Sequence, residues 1–342
     1  AIMLDKADKK AIMLCILKTL EIHTDAEHPL THEQIAQRLE KDFGLDKPSR
    51  NTIANHINIL RDGLDYDIRY GAGNKGVYLV DRILPAIHLK ALISQLATAK
   101  SLPSENAQNL IKALESLHNK HFRGLKNTSS VKNYIHQRNE QFFNNLEIID
   151  TAINKGLQIS CTYNDIGLKG ELVPRKQGDK KLIYILHPYE MACVDGFYYL
   201  IASAFDYNEL RHFRIDHITE IMPLENQKRI PLEKITGYSG CISFDLPKYV
   251  REHVLMFNGK IERITFIADR YILNYVWDVF GDRAQIKAVK NNPKQIEFTV
   301  HTTAEAAKIF AKQYCTSCQL LSPEQIRREL SLEFNNVAEK YK

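Results

Sequence analysis

Long apolar runs are missing from this 342-residue chain. The longest, Ala11 to Leu17 and Leu200 to Ala204, fall far short of the roughly 20 residues a helix needs to cross a bilayer, so no membrane-spanning helix is expected. The apolar stretch near the start reads on into an amphipathic helix and lacks a small-residue cleavage site. That argues against a secretory signal and for a cytoplasmic protein. Low-complexity segments and internal repeats are absent as well. Cysteines are few: six, at 15, 161, 193, 241, 315 and 318, most of them inside apolar runs where a thiol packs as a small hydrophobe. No disulfide framework follows. Cys315 and Cys318 form a C-x-x-C, but no second such pair or His pair completes a zinc site. The 13 histidines are scattered and none falls in an H-E-x-x-H spacing. Clustered carboxylates, a nucleophile elbow and a phosphate loop are likewise missing. An enzyme, for instance a nuclease acting on bound nucleic acid, therefore has no support, and neither a metal nor a cofactor is expected.

What is present is the composition of a globular protein, 44% hydrophobic and 25% charged, long enough for two or three domains with sizeable cores. The net charge of +5 permits a polyanionic partner without requiring one. Composition shifts near Ile83, near Gly156 and after Pro223 and Pro231 divide the chain. Residues 1–82 read as three helices and a hairpin, and residues 83–153 as a helical connector. Residues 154–230 alternate with the two-residue period of short strands, with turn residues at Asn164-Asp165, Gly178-Asp179 and Asp195-Gly196. Residues 231–342 read as an α+β region: a strand (Ile261 to Ala268), a helix (Asn274 to Phe280), two strands (Gln285 to Val289, Gln295 to His301), a helix (Ala304 to Tyr314), a short strand and a final helix.

In the first segment, Ile12, Ile16 and Leu20 share one helical stripe, and Ile35, Leu39 and Phe43 another. Thr31 and Gln34 open the second helix as a capping box, in which hydroxyl and amide satisfy orphan backbone donors reciprocally. A loop from Gly44 to Pro48 leads to Ser49, an N-cap residue, and to a third helix whose expected buried stripe is Ile53, Ile57, Leu60 and Leu64. Opposite that stripe fall Asn51, Asn55 and Asn58. An Asn amide can pair bidentately with adenine, and a helix fits the major groove, so this helix is a candidate reader of DNA. Ser49, Arg50 and Arg61 flank the amides as candidate backbone contacts. Next, Ile68 to Tyr70 and Val77 to Val80 are joined by Gly71-Ala72-Gly73-Asn74-Lys75-Gly76, a loop that presents Lys75 at a hairpin tip. Three helices followed by this hairpin resemble a winged helix-turn-helix. A solvated polar face would carry the same asparagines.

The middle segment carries Ile159 to Tyr163, His187-Pro188-Tyr189, Asp195 to Leu200, and Arg211 to Ile218. In order and spacing these resemble the WYL domain, a small Sm/SH3-like β-barrel of bacterial regulators. Tyr198 stands where the family has its eponymous Trp, and His217 where an Arg is usual. The resemblance implies that Tyr163, His187, Tyr199, Arg211 and Arg214 bind a nucleic-acid or nucleotide-like effector. Arg guanidinium groups and aromatic faces suit such a charged, planar ligand. Strand parity sets a condition, because Arg211 shares a face with Phe213 and Ile215 while Arg214 shares one with His212 and Asp216. Both arginines share a site only if the strand bulges or Arg211 precedes it, and Asp216 is an alternative, purely structural partner for Arg214. Tyr198 and Leu200 are expected in the core.

Residues 261–332 resemble, on less specific motifs, the extension that follows such domains and helps dimerise them or gate the sensor. Trp277, Val276 and Phe280 would form an apolar helix face there, or core. The whole is read as a multidomain α+β protein: winged helix-turn-helix, helical connector, Sm/SH3-like β-barrel (WYL) and a ferredoxin-like α+β extension. Its expected role is a homodimeric ligand-responsive transcriptional regulator, a repressor by preference, binding a double-stranded operator. The alternative is a nucleic-acid-binding accessory of an antiphage or CRISPR system.

Overall fold

The computed structural model describes residues 11–125, 139–204, 208–241, 243–290 and 292–342. By compactness the chain forms two units, 1–136 and 137–342.

In the first unit, α1 (Ile12–His23), α2 (His32–Phe43) and α3 (Arg50–Asn58) enclose a core of Ile16, Leu20, Ile35, Leu39, Ile53, Ile57 and Leu60. Ile12 and Phe43 pack at its margin. The capping box forms in both directions: Thr31 N donates to Gln34 Oε1 at 2.8 Å, and Gln34 N to Thr31 Oγ1 at 3.2 Å. The stripe expected along the third helix ends early. After Asn58 the backbone widens into a π turn over Ile59–Gly63, closed by Leu64 N donating to Ile59 O at 3.0 Å. The wider turn advances each side chain by a smaller angle, so Leu64 swings off the stripe and is 53% exposed. Strands β1 (Ile68–Tyr70) and β2 (Val77–Leu79) pair antiparallel, and Leu30 adds a bridge to Val77 on the far side. Gly76 makes that approach possible. Its φ is +82°, and a Cβ there would lie 2.7 Å from the Leu30 carbonyl carbon.

Residues 83–153, expected as one connector, contribute to both units. Helices α4 (Ala86–Thr98) and α5 (Ser104–Glu115) pack together through Ile93, Ala97 and Ile111 in the first. The chain after α5 then returns to the end of α1, where Lys120 N donates to Ile22 O at 2.8 Å and Asn119 Nδ2 to Thr24 O at 3.0 Å. Arg82 adds bonds to the carbonyls of Glu21 and Thr24 at 2.8 and 2.7 Å. His121 stacks on His28 with ring centroids 3.7 Å apart.

The second unit begins with α6 (Phe142–Lys155), closed by Gly156 at φ +63°. Asn145 on this helix donates to Ile218 O at 2.7 Å, and Asn139 ahead of it to Asp216 O and Ile218 O at 3.1 and 2.7 Å. The helix is thereby fixed to an antiparallel sheet of β3 (Leu157–Ile166), β7 (Ile183–Val194), β8 (Phe197–Ala204), β9 (Arg211–Arg214) and β10 (Ile218–Lys228), in the order β10-β3-β7-β8-β9, with β4 (Leu172–Pro174) pairing β3. A two-pair hairpin, β5 (Lys176–Gln177) and β6 (Lys180–Lys181), stands outside it. Asp195-Gly196 and Gly178-Asp179 turn the chain, as expected. Asn164-Asp165 does not. Both lie inside β3, where the Asn164 amide donates laterally to His217 O and Thr219 Oγ1 at 2.8 and 2.9 Å, and the turn falls after them, at Gly167–Gly170.

A linker containing α7 (Leu246–Glu252) leads to β11 (Ile261–Asp269), α8 (Leu273–Phe280), β12 (Gln285–Val289), β13 (Asn292–Thr303), α9 (Ala304–Gln313), β14 (Cys318–Ser322) and α10 (Glu324–Lys340). The sheet runs β12-β13-β11-β14, a split β-α-β arrangement. Phe266 stacks on Phe298 at 4.9 Å in its core, joined by Val276, Phe280 and Phe310. Trp277 points away from that core, so the apolar face expected of α8 is narrower than its sequence suggested. Cys318 is buried and Cys315 exposed, so the C-x-x-C does not converge. Among the described residues no helix is long and apolar enough to cross a membrane.

Candidate nucleic-acid interface and effector site

The helix α3 starts at Ser49, whose Oγ accepts from Thr52 N at 3.1 Å. The hydroxyl is committed to the cap. With Ile53, Ile57 and Leu60 buried, the helix turns Asn51, Asn55 and Asn58 to solvent. Arg50, Asn51 and Asn55 are exposed and make no side-chain hydrogen bond or ion pair among the described residues. His32 nearby is held below the usual imidazole range by burial and by the charge of Arg50, so it adds no positive charge of its own at neutral pH. Lys75 is exposed in the loop between β1 and β2, a loop fixed by Gly71 N donating to Gly76 O at 3.0 Å.

Arg61 is placed differently. Its Nε and Nη2 donate to Asp62 at 2.7 and 3.0 Å, Nη2 also to Asn58 Oδ1 at 3.1 Å, and Nη1 to Tyr70 Oη at 3.4 Å. The Asp62 and Tyr70 hydrogen bonds raise its pKa further. It ties the end of α3 to the hairpin of β1 and β2, which makes it a strut between the two elements.

Of the five residues expected to bind an effector, the structure brings three together. Tyr199 pairs across strands with Arg214, and Arg214 N donates to Tyr163 Oη at 3.1 Å. The Arg214 guanidinium lies 3.8 Å over the Phe197 ring and forks onto Asp216, Nε to Oδ1 at 3.1 Å and Nη2 to Oδ2 at 2.5 Å. Asp216 is only 2% exposed. Burial opposes the charge on Arg214, but the hydrogen bond and charge of Asp216, with smaller contributions from Tyr199 and Tyr163, together outweigh it, so its pKa rises. The phenols of Tyr163 and Tyr199 are pushed up by burial and stay neutral. Arg211 pairs with Ala202, on the face of the sheet opposite Arg214, and lines a cleft of about 900 Å³ with Tyr238, Lys248 and Lys260. His187 is buried elsewhere, its Nδ1 accepting from Ile230 N at 3.0 Å. Burial lowers its pKa.

Residues 144–223 match the family model of the WYL domain. This stretch is a WYL domain. It takes in α6, which the sequence alone assigned to the connector. Two solved structures resemble the chain: proteasome accessory factor B/C (PafBC) of Arthrobacter aurescens, at 17% identity and a TM-score of 0.28, and a CRISPR Cas-related protein, at 12% identity and a TM-score of 0.36. The first likeness covers 100% of this chain and 50% of the other, so the chain spans about half the length of that protein. The second covers 97% and 84%. No curated protein matches the chain.

Within the WYL domain, Leu200 is fully buried and Tyr198 packs edge-on against Phe142 of α6 at 5.6 Å. Two further residues join this cluster: Arg175, outside the motifs, and His217, inside the last motif but given no ligand role from the sequence. Arg175 sits 4.9 Å over the Tyr163 ring while its guanidinium binds Asp165 Oδ1 at 2.8 and 3.0 Å. His217 stacks on that tyrosine at 5.8 Å, with Nδ1 donating to Asn164 O at 3.0 Å. Burial lowers the His217 pKa despite Asp216, so a neutral ring occupies the position where the family has a permanent charge. The result is a largely buried aromatic cluster bordered by two guanidinium groups, each held by a carboxylate. Asp216 is enclosed with Arg214, whereas Asp165 is exposed and can yield Arg175 to an incoming anion.

Proposed function

We propose that this protein is a DNA-binding transcriptional regulator, a homodimeric repressor that works in the cytoplasm without enzymatic activity and whose WYL domain takes a nucleic-acid or nucleotide-like effector. The carrying observation is the exposed amide face of α3, where Asn51, Asn55 and the leading Arg50 have no partner among the described residues, with Lys75 on the adjoining hairpin. Amides specify bases in the major groove, and the two cations supply the sequence-independent hold on phosphate. For the effector, Arg175 beside the buried Tyr163 offers an exchangeable anion contact. The effector shifts repression only by binding one arrangement of the dimer better than the other.

Fluorescence anisotropy on the full chain tests the reading, comparing duplex from upstream of its own gene, an unrelated duplex and an unrelated single strand at two salt concentrations. Tightest binding to the upstream duplex, weakening steeply with salt, is expected. Preference for single strands over every duplex would overturn it in favour of an accessory role in an antiphage or CRISPR system. Magnesium-dependent cleavage of the labelled DNA would overturn the non-enzymatic assignment.

A further inference from the structure

The exposed face of α3 does not end with its asparagines. One turn beyond Asn55 the line continues in Ile59, which holds helical dihedrals (φ −61°, ψ −45°) and donates its N–H to Asn55 O, yet is 48% exposed. Asn51, Asn55 and Ile59 follow one another at four-residue spacing on one side of the helix. Neither of these two amides has a hydrogen-bond partner among the described residues, so each keeps both its acceptor and its donors. Asn58 differs. Its Oδ1 accepts from Arg61 Nη2 at 3.1 Å, which leaves only donors, and any acceptor edge satisfies those.

We infer that α3 lies along the major groove and reads a half-site of A·T pairs, Asn51 and Asn55 each holding the N6 and N7 edge of an adenine and Ile59 covering the methyl group of a thymine. The inference rests on the DNA-binding reading above and names the class of sequence it selects. Adenine shows one donor and one acceptor in the major groove, which a single amide matches, whereas guanine shows two acceptors and calls for two donors on one side chain, as arginine supplies. Among the described residues no cation stands on this face. Arg50 falls in line with the buried Ile57, Arg61 is forked onto Asp62, and Lys47 is bound to Glu33. Thymine alone presents a methyl group in the major groove, and an apolar side chain gains by covering it. Four residues rise about 6 Å, so the three contacts fall roughly two base-pair steps apart. A helix that entered the groove end-on would leave Ile59 clear of the bases.

Selection of the full chain on a duplex library with a randomised centre should enrich two adenines roughly two base pairs apart, with a thymine about the same distance beyond. An enriched site of G·C pairs would overturn the inference and leave DNA recognition standing, whereas no enrichment over the starting library would remove both. Anisotropy on the selected duplex then tests each contact. In a base pair N6-methyladenine keeps its one N6–H for thymine and turns its methyl group toward N7, so methylation of the adenine read by Asn55 should weaken wild-type binding on the order of tenfold, and Asn55→Ala should bind the two duplexes alike. Deoxyuridine in place of the thymine should cost about fourfold, the worth of one buried methyl group, and the difference should vanish in Ile59→Ala. Each comparison sets two duplexes against one protein, so a loss of stability in a variant does not imitate it. Full wild-type affinity for either altered duplex, or a deoxyuridine penalty that persists in Ile59→Ala, would overturn the inference.

Discussion

The two sets of candidate contact residues differ in how they are held. On α3, Arg50, Asn51 and Asn55 project into solvent without partners among the described residues, while in the WYL domain Tyr163, Arg175, Arg214, Asp216 and His217 already engage one another. Side chains of the first kind gain every contact they make with a partner and contribute little to folding. Those of the second kind fix the shape of a surface, and a ligand must exchange for an existing bond. The difference separates what substitution should do in each region: loss of binding with unchanged stability in one, loss of stability in the other.

The largest effect is expected from Asn51→Ala combined with Asn55→Ala. Each bidentate amide–adenine pair carries about 1–3 kcal/mol, so affinity for the upstream duplex should fall on the order of 100-fold while the thermal melt stays where it was. Anisotropy with parallel circular dichroism reads both, and unchanged affinity would move readout off this face. Asp216→Ala inverts the pattern. It leaves Arg214 half-enclosed without its carboxylate, which should destabilise the second unit by about 3 kcal/mol, near the low end for a buried pair because the guanidinium keeps some access to water. Equilibrium urea unfolding should show the loss, and duplex affinity measured well below the melt should be unaltered.

Acid should loosen the same region. His212 joins β9 to the linker helix, Nδ1 donating to Met256 O at 2.7 Å and Nε2 accepting from Tyr249 Oη at 2.8 Å, with the His253 ring 5.3 Å away. Burial, with a further contribution from His253, pushes its pKa down to about 4. Because the unfolded chain takes up the proton at about pH 6.5, the stabilisation is complete above that value and is lost as pH falls towards the folded value. Between about pH 7 and pH 5 this is worth ~2 kcal/mol. Urea unfolding at both values measures the loss, and His212→Gln should flatten the difference. An equal slope in the variant would assign the effect to His187, His217 and His253, whose pKa values are lowered by burial too.

How far the sequence foretold these regions follows the range of the forces involved. The capping box, the buried stripes of α1 and α2 and the outward asparagines depend on neighbours within four residues, and periodicity reads them directly. Leu64 escaped because a single π turn breaks a helical count without leaving a composition signal. In the WYL domain the motifs located the strands, yet the site depends on which strands lie side by side. Arg175 illustrates this. Once the turn is placed at Gly167–Gly170, its register of Asn164 with Pro174 sets Arg175 beside Tyr163, but Asn164-Asp165 is the stronger turn dipeptide and drew the turn three residues too early. The parity of Arg211 and Arg214 was legible from the two-residue period. What closes round each was not, since the cleft near Arg211 is built from residues more than twenty positions further on.

The smallest expected effect bears most directly on the comparison, because Arg61 belongs by position to the first set and by bonding to the second. Lys75 and Arg61 both stand near the proposed duplex, and both carry a positive charge. Lys75→Ala removes a point charge from a hairpin tip, so affinity should fall a few-fold for every sequence and the slope of log affinity against log salt should become shallower by about 1, the signature of one fewer phosphate contact. Arg61→Ala removes a guanidinium whose bonds go to Asn58, Asp62 and Tyr70. Its loss should release the angle between reading helix and hairpin, lowering affinity for the upstream duplex and leaving the salt slope nearly unchanged. A slope that drops by about 1 in Arg61→Ala as well would mean that the guanidinium leaves Asp62 for phosphate on binding. Arg61 would then join Arg50 and Lys75 among the side chains held for DNA.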